Sequence, residues 1–109
     1  MSDILLVITN LPDAPSAEKL ARQLIEERAA ACVNQLAPCT STYHWQGSIE
    51  TATEVPLLIK TTRTAYPRLE KLIRAAHPYE LPEIIAVPVT TGLPAYLDWV
   101  SQETNALKE

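Results

Sequence analysis

The sequence predicts an α+β fold of βαββαβ order, in which one antiparallel sheet carries two helices on a single face. Three observations predict it. Two stretches repeat apolar residues at helical spacing, and each holds a proline in its first turn, at Pro15 and Pro67. Strand-like runs flank them, one wholly apolar from Ile4 to Ile8 and one from Glu83 to Thr90. Between the helices lie two long extended segments joined by Gln46-Gly47-Ser48, a plausible hairpin turn. Composition does not shift along the 109 residues, so 1–109 reads as one domain.

The first strand, Ile4 to Thr9, shows no polar alternation and is expected inside the sheet, covered on both faces. It ends in the turn Asn10-Leu11-Pro12-Asp13. Asp13 or Ser16 then caps a helix whose Ala17, Leu20, Ala21, Leu24 and Ile25 form the inward stripe. From Cys32 to Trp45 the residues are β-branched, aromatic or small, interrupted by Pro38, and a second extended segment runs from Ile49 to Thr62. Pro38 and Pro56 lack the amide hydrogen that a ladder uses, so each marks a bulge, a bend or an edge. Thr64 is the expected cap of the second helix, with Tyr66, Leu69, Leu72, Ile73 and Ala76 facing inward and Pro78 ending it after His77. Glu83 to Thr90 is the last strand, and Thr91-Gly92 opens a short C-terminal helix carrying Tyr96, Leu97, Trp99 and Val100.

The hairpin does not fit a monomer. At about 3.3 Å per residue a strand from Ile49 to Thr62 spans roughly 45 Å, against a radius of gyration near ~13 Å for a globule of this size. Its tip projects, and Tyr43, Trp45, Ile49 and Val55 then need cover. Neighbouring copies are the simplest cover. A ribbon laid on a different surface of its neighbour makes a head-to-tail contact that closes as a ring, and three is the smallest ring beyond the self-complementary dimer. A homotrimer is expected, with Tyr43, Trp45 and Trp99 at its interface.

The formal charge of -4, with Lys and Arg spread singly, argues against nucleic acid or an anionic membrane as partner. The run Ile4 to Ile8 is too short for a signal segment or a membrane span, so a cytoplasmic location is expected. Cys32 and Cys39 are expected as free thiols. With only Gly47 and Gly92 there is no phosphate loop, and no Ser-His-Asp or Cys-His signature stands out, so neither an enzyme nor an organic cofactor is expected.

Three blocks carry a resemblance: Ala30-Ala31-Cys32-Val33-Asn34; Tyr43-His44-Trp45-Gln46-Gly47-Ser48-Ile49-Glu50 leading to Leu58-Ile59-Lys60-Thr61; and His77-Pro78-Tyr79-Glu80-Leu81-Pro82-Glu83-Ile84. With the ending Pro94-Ala95-Tyr96-Leu97-Asp98-Trp99 they resemble the CutA divalent-cation-tolerance proteins over nearly the whole chain. The resemblance implies a ferredoxin-like βαββαβ sandwich with a long β2–β3 hairpin and a short C-terminal helix, assembled as a trimer. It also implies an association with Cu2+ or another divalent cation, and it brings no catalytic residues. Some members carry a second histidine and a first-strand thiol where this chain has Ala76 and Ile8, so fewer ligands and lower affinity are expected here.

The metal candidates are His77, with Glu80, Glu83 or Cys39 from the same or a neighbouring subunit. The alternative for His77 is a last-turn residue bonding free helix carbonyls. Cys39 beside Pro38 can expose its sulfur, whereas Cys32 is expected to pack as a small apolar residue. His44, alternating with Tyr43 and Trp45, is expected on the other side of the ribbon, solvated or interfacial. Lys60 and Arg63, with Tyr79, are candidates for an anion in a cleft between subunits; the competing reading pairs the two cations with Glu50, Glu54 or Glu80. Two functions follow: a trimer that binds and responds to divalent cations, or a regulatory or scaffolding trimer that takes a small anion or a partner protein at its clefts.

Overall fold

A computed structural model describes residues 3–105. The elements are β1 (Ile4–Leu11), α1 (Ala14–Glu26), β2 (Cys32–Gln35), β3 (Cys39–Trp45), β4 (Ser48–Thr62), α2 (Tyr66–Ala76), β5 (Ile84–Pro88) and α3 (Pro94–Glu103). The sheet runs β2-β4-β1-β5, with β3 also on β4, and all pairs are antiparallel. If β2 and β3 are taken as one interrupted strand, this is the expected βαββαβ sandwich plus a terminal helix.

The interruption has a register cause. Gln35 pairs with Leu57 and Cys39 with Glu54, so residues 36–38 face only 55–56, a bulge. The Leu36 N–H donates to the Pro56 carbonyl at 3.0 Å. In an antiparallel pair a residue's N–H and C=O point the same way, so the missing N–H of Pro56 falls at this gap and leaves the β1 ladder intact. At the far end Gln46 (φ 52) and Gly47 (φ 85) make the tight turn. Two consecutive positive φ angles give a turn whose twist suits a hairpin, and glycine takes its place there without strain.

Asp13 caps α1 as expected, its carboxylate accepting the Ser16 N–H at 2.8 Å. That bond lowers the Asp13 pKa, because it favours the charged form. The start of α2 differs from expectation: Ala65, not Thr64, takes the N-cap position, with no side-chain cap, and its own N–H donates to the Thr62 hydroxyl at 3.1 Å. The strand ends at Thr62, so this is the hydroxyl left beside the turn.

One face of the sheet is closed by α1 and α2. Leu5, Val7, Leu11, Leu57 and Ile59 meet Ala17, Leu20 and Leu24 of α1 and Leu69 and Ile73 of α2. Each large side chain buried there is worth about 1.5–3 kcal/mol of transfer free energy. Ile25, counted on the inward stripe, is exposed instead. The opposite face is where expectation fails, since β1 alternates buried with half-buried and is not covered on both sides. Leu6 pairs with Lys60 and Val87, and Ile8 with Leu58 and Ile85, so an apolar surface lies open. Val87 (44% exposed) and Ile85 (50%) lie at its edge. The molecule measures 45 × 27 × 23 Å, drawn out by the hairpin.

Candidate functional site

Much of the polar chemistry anticipated in the sequence gathers at the root of the hairpin, where β1 ends, β3 begins and the chain leaves α2. His77 follows α2 and is buried. Its Nδ1 accepts the Tyr79 N–H at 3.2 Å, which fixes the proton on Nε2, and that N–H donates to the Asn10 carbonyl at 2.6 Å. The ring therefore joins the loop to β1, while the backbone N–H of His77 closes α2 by donating to the Ile73 carbonyl at 2.9 Å. The rings of His77 and Tyr79 lie 4.7 Å apart at 50°.

From Tyr79 the network runs to the hairpin. Partial burial raises the Tyr79 phenol pKa, and the hydrogen bond and charge of Glu54 raise it further. Glu54 is itself buried, and it accepts the Ser41 hydroxyl proton at 2.6 Å. Cys39, exposed and directly opposite Glu54 in the ladder, has its sulfur 3.9 Å from Ser41 Oγ. At the other end of the network Asn10 donates from Nδ2 to Glu83 at 2.9 Å. Sequence reasoning missed Asn10, Ser41 and Glu54 as members of this group. Glu80 is exposed in the same loop.

A second cluster stands apart, on the open sheet face. Lys60 lies opposite Cys32 in the ladder. Its ammonium donates to Asn34 Oδ1 and approaches the Cys32 sulfur at 3.9 Å. Tyr96 of α3 reaches the same sulfur; burial, and then the neighbouring Cys32, raise its pKa. Tyr96 also stacks near Trp99, with centroids 5.6 Å apart. The expected pairing of Lys60 with Glu50, Glu54 or Glu80 is absent, and Glu54 partners Ser41 and Tyr79. Cys32 is half-buried among polar partners and does not pack as a small apolar residue. Arg63 donates its backbone N–H to the Asp3 carbonyl at 2.8 Å, and its exposed guanidinium meets no carboxylate among the described residues.

A divalent cation needs several donors that converge with free lone pairs. Among the described residues no three of His, Cys, Asp and Glu gather in that way. Both His77 nitrogens are committed, and Glu83 is tied to Asn10. One chain alone therefore does not fit a closed metal centre. The hairpin residues Tyr43, Trp45 and Ile49 are exposed, as is Trp99, and His44 is exposed across the ribbon from them.

Comparison with known proteins covers this whole architecture. The chain is 43% identical over 100 residues to the divalent-cation tolerance protein CutA of Thermus thermophilus, spanning 92% of this chain and 97% of that one. It is 45% identical over 96 residues to the mouse protein CutA, covering 88% of this chain but 54% of that longer one. The crystal structure of CutA from Xylella fastidiosa superposes with a TM-score of 0.93 at 50% identity, over 95% of this chain and 100% of the other. The CutA1 divalent ion tolerance protein family matches residues 5–103, which take in both faces of the sheet, the hairpin and all three helices, and the chain belongs to that family.

Proposed function

We propose that the chain works as a cytoplasmic, non-catalytic homotrimer in divalent-cation tolerance, meeting copper or another divalent ion at sites completed between subunits. The observation that carries the reading is the apolar surface one chain leaves open. Ile49 (71% exposed) and the half-exposed Tyr43, Trp45, Ile85, Val87 and Trp99 lie on the hairpin, the open sheet face and α3. A projecting two-stranded ribbon with such a surface needs a partner, and a ring of three copies supplies one.

For the ion, the chemistry favours Cys39. Its thiol is exposed, its partner Ser41 is a weak one, and thiolate is a strong donor to copper. Remaining ligands come from a neighbour, where the exposed Glu80 is the available carboxylate of the candidate set. Two unpaired cysteines suit a reducing compartment.

The test is copper and zinc calorimetry on reduced, tag-free protein, beside sedimentation. One site per subunit that Cys39→Ser abolishes supports the reading, and Trp45→Ala is expected to weaken the trimer while each domain stays folded. Weak binding at many sites, indifferent to Cys39→Ser, removes the metal part of the proposal. An intact trimer of unchanged dissociation in Trp45→Ala removes the hairpin from the interface.

A further inference from the structure

Lys60 is the odd residue of the sheet. It sits on the central strand β4, facing the open side, in a row that runs Cys32, Lys60, Leu6, Val87. An ammonium carries three N–H donors. Its partners here are Asn34 Oδ1 and the Cys32 sulfur at 3.9 Å, neither of which offers a formal countercharge. The ion pairs formed among the described residues, Arg22 with Glu26 and Arg28 with Glu103, lie elsewhere.

The surroundings add no formal negative charge. Asn34 Oδ1 already serves Lys60 and lies 4.0 Å from the Cys32 thiol, so its amide N–H groups remain to be used. The Tyr96 phenol arrives at the same sulfur. A positive charge half withdrawn from water is costly unless it is paired, and the neighbours Leu6, Val87, Leu58 and Ile85 offer nothing to pair with.

We propose that Lys60 and Asn34 form a receptor for one carboxylate group borne on an apolar stem. A carboxylate matches the single charge of Lys60, whereas a phosphate dianion would leave one charge unbalanced. Its two oxygens can take the third ammonium N–H and an Asn34 amide N–H together. The lane from Leu6 to Val87 takes the stem. Two sources present this chemistry: an Asp or Glu of a neighbouring copy, and a free small carboxylic acid. The site is independent of the metal reading, and a chain that binds no copper keeps it.

Cys32, at the edge of the receptor, is the reporter. Its alkylation by neutral iodoacetamide is followed by peptide mass spectrometry in wild type and in Lys60→Gln, with Cys39 as internal control. Benzoate is raised at ionic strength held constant with chloride, and both proteins are sedimented at low and high salt. A free acid shows as a saturable, about tenfold slowing at Cys32 that is absent at Cys39 and in Lys60→Gln. A neighbour's carboxylate shows as no benzoate response, with about tenfold weaker assembly of Lys60→Gln at low salt that narrows at high salt. Slowing that Lys60→Gln retains overturns the proposal, as does benzoate indifference together with unchanged assembly. Lys60→Met, similar in length and uncharged, replaces Lys60→Gln should that variant fail to fold.

Discussion

At the hairpin root the polar groups partner one another: His77 with Asn10 and Tyr79, Tyr79 with Glu54, Glu54 with Ser41, Asn10 with Glu83. On the open sheet face Lys60 and Asn34 keep donors that no other described residue takes up. Both regions hold half-buried groups, yet they differ in what they ask of their surroundings. A saturated network holds elements in place and gains little from a ligand, whereas an unsaturated one gains from whatever completes it. The difference corrects a habit of reading any histidine near carboxylates as a metal site. His77 is the least available donor of its neighbourhood.

If that contrast is right, substitutions in the two regions will have effects of different size and sign. His77→Ala strips Asn10 O and Tyr79 N–H of their partner and opens space beneath Tyr79, so a loss of about 2–4 kcal/mol is expected in urea unfolding at fixed protein concentration. A loss near zero would place the imidazole in reserve for a ligand and break the contrast. Tyr79→Phe removes one donor from buried Glu54 and is expected to cost about 1–2 kcal/mol by the same measurement. If the carboxylate is a free acid, Lys60→Met is expected to change the stability of the acid-free protein by about 0–1 kcal/mol in the stabilising direction, since it deletes a charge without a countercharge. A neighbour's carboxylate makes the same change destabilising through weaker assembly. A clear destabilisation with assembly unchanged would mean that the ammonium is already satisfied.

The pH dependence is a smaller effect. The raised pKa of Tyr79 means that the folded state favours the neutral phenol. Its contribution is fully present below the ordinary tyrosine value of about 10 and is lost as pH rises through the folded value. Absorbance titration at 295 nm should show late-ionising phenols, because Tyr66 and Tyr96 are raised as well, and Tyr79→Phe should lower their number by one. Last, Arg63→Gln should shift stability by less than about 0.5 kcal/mol, because its exposed guanidinium meets no carboxylate among the described residues.

Local chemistry made much of the fold legible. Asp13 announces its helix because the capping bond spans three residues, and Gln46-Gly47 announces the turn because few pairs accept two positive φ angles. The bulge was foreshadowed by Pro38 and Pro56. The start of α2 was not, because Ala65 takes the N-cap position without any side-chain cap, and that depends on where β4 stops. Nor was the hairpin-root network, since Asn10 and Glu83 lie 73 positions apart and nothing near either one signals the other. The pairing expected for Lys60 failed for a geometric reason. Six residues along an extended strand are about 20 Å, so Glu54 lies beyond the reach of Lys60. The open apolar face escaped notice because a continuous apolar run reads alike whether its second face meets a helix or another copy.

The length of β4 has a consequence for how such a chain can vary. Along this one strand, Leu57 and Ile59 turn to the core while Leu58 and Lys60 turn to the open face. Inserting or deleting a single residue between 57 and 60 would exchange the two sets at once, sending Lys60 into the helices and a core leucine or isoleucine outward. Across the ladder, residues 36–38 already run one longer than the segment they face, so a length change there would be absorbed as a larger or smaller bulge. Natural length variants of this fold are therefore expected to differ at the bulge or the hairpin tip and to keep the count through the middle of β4.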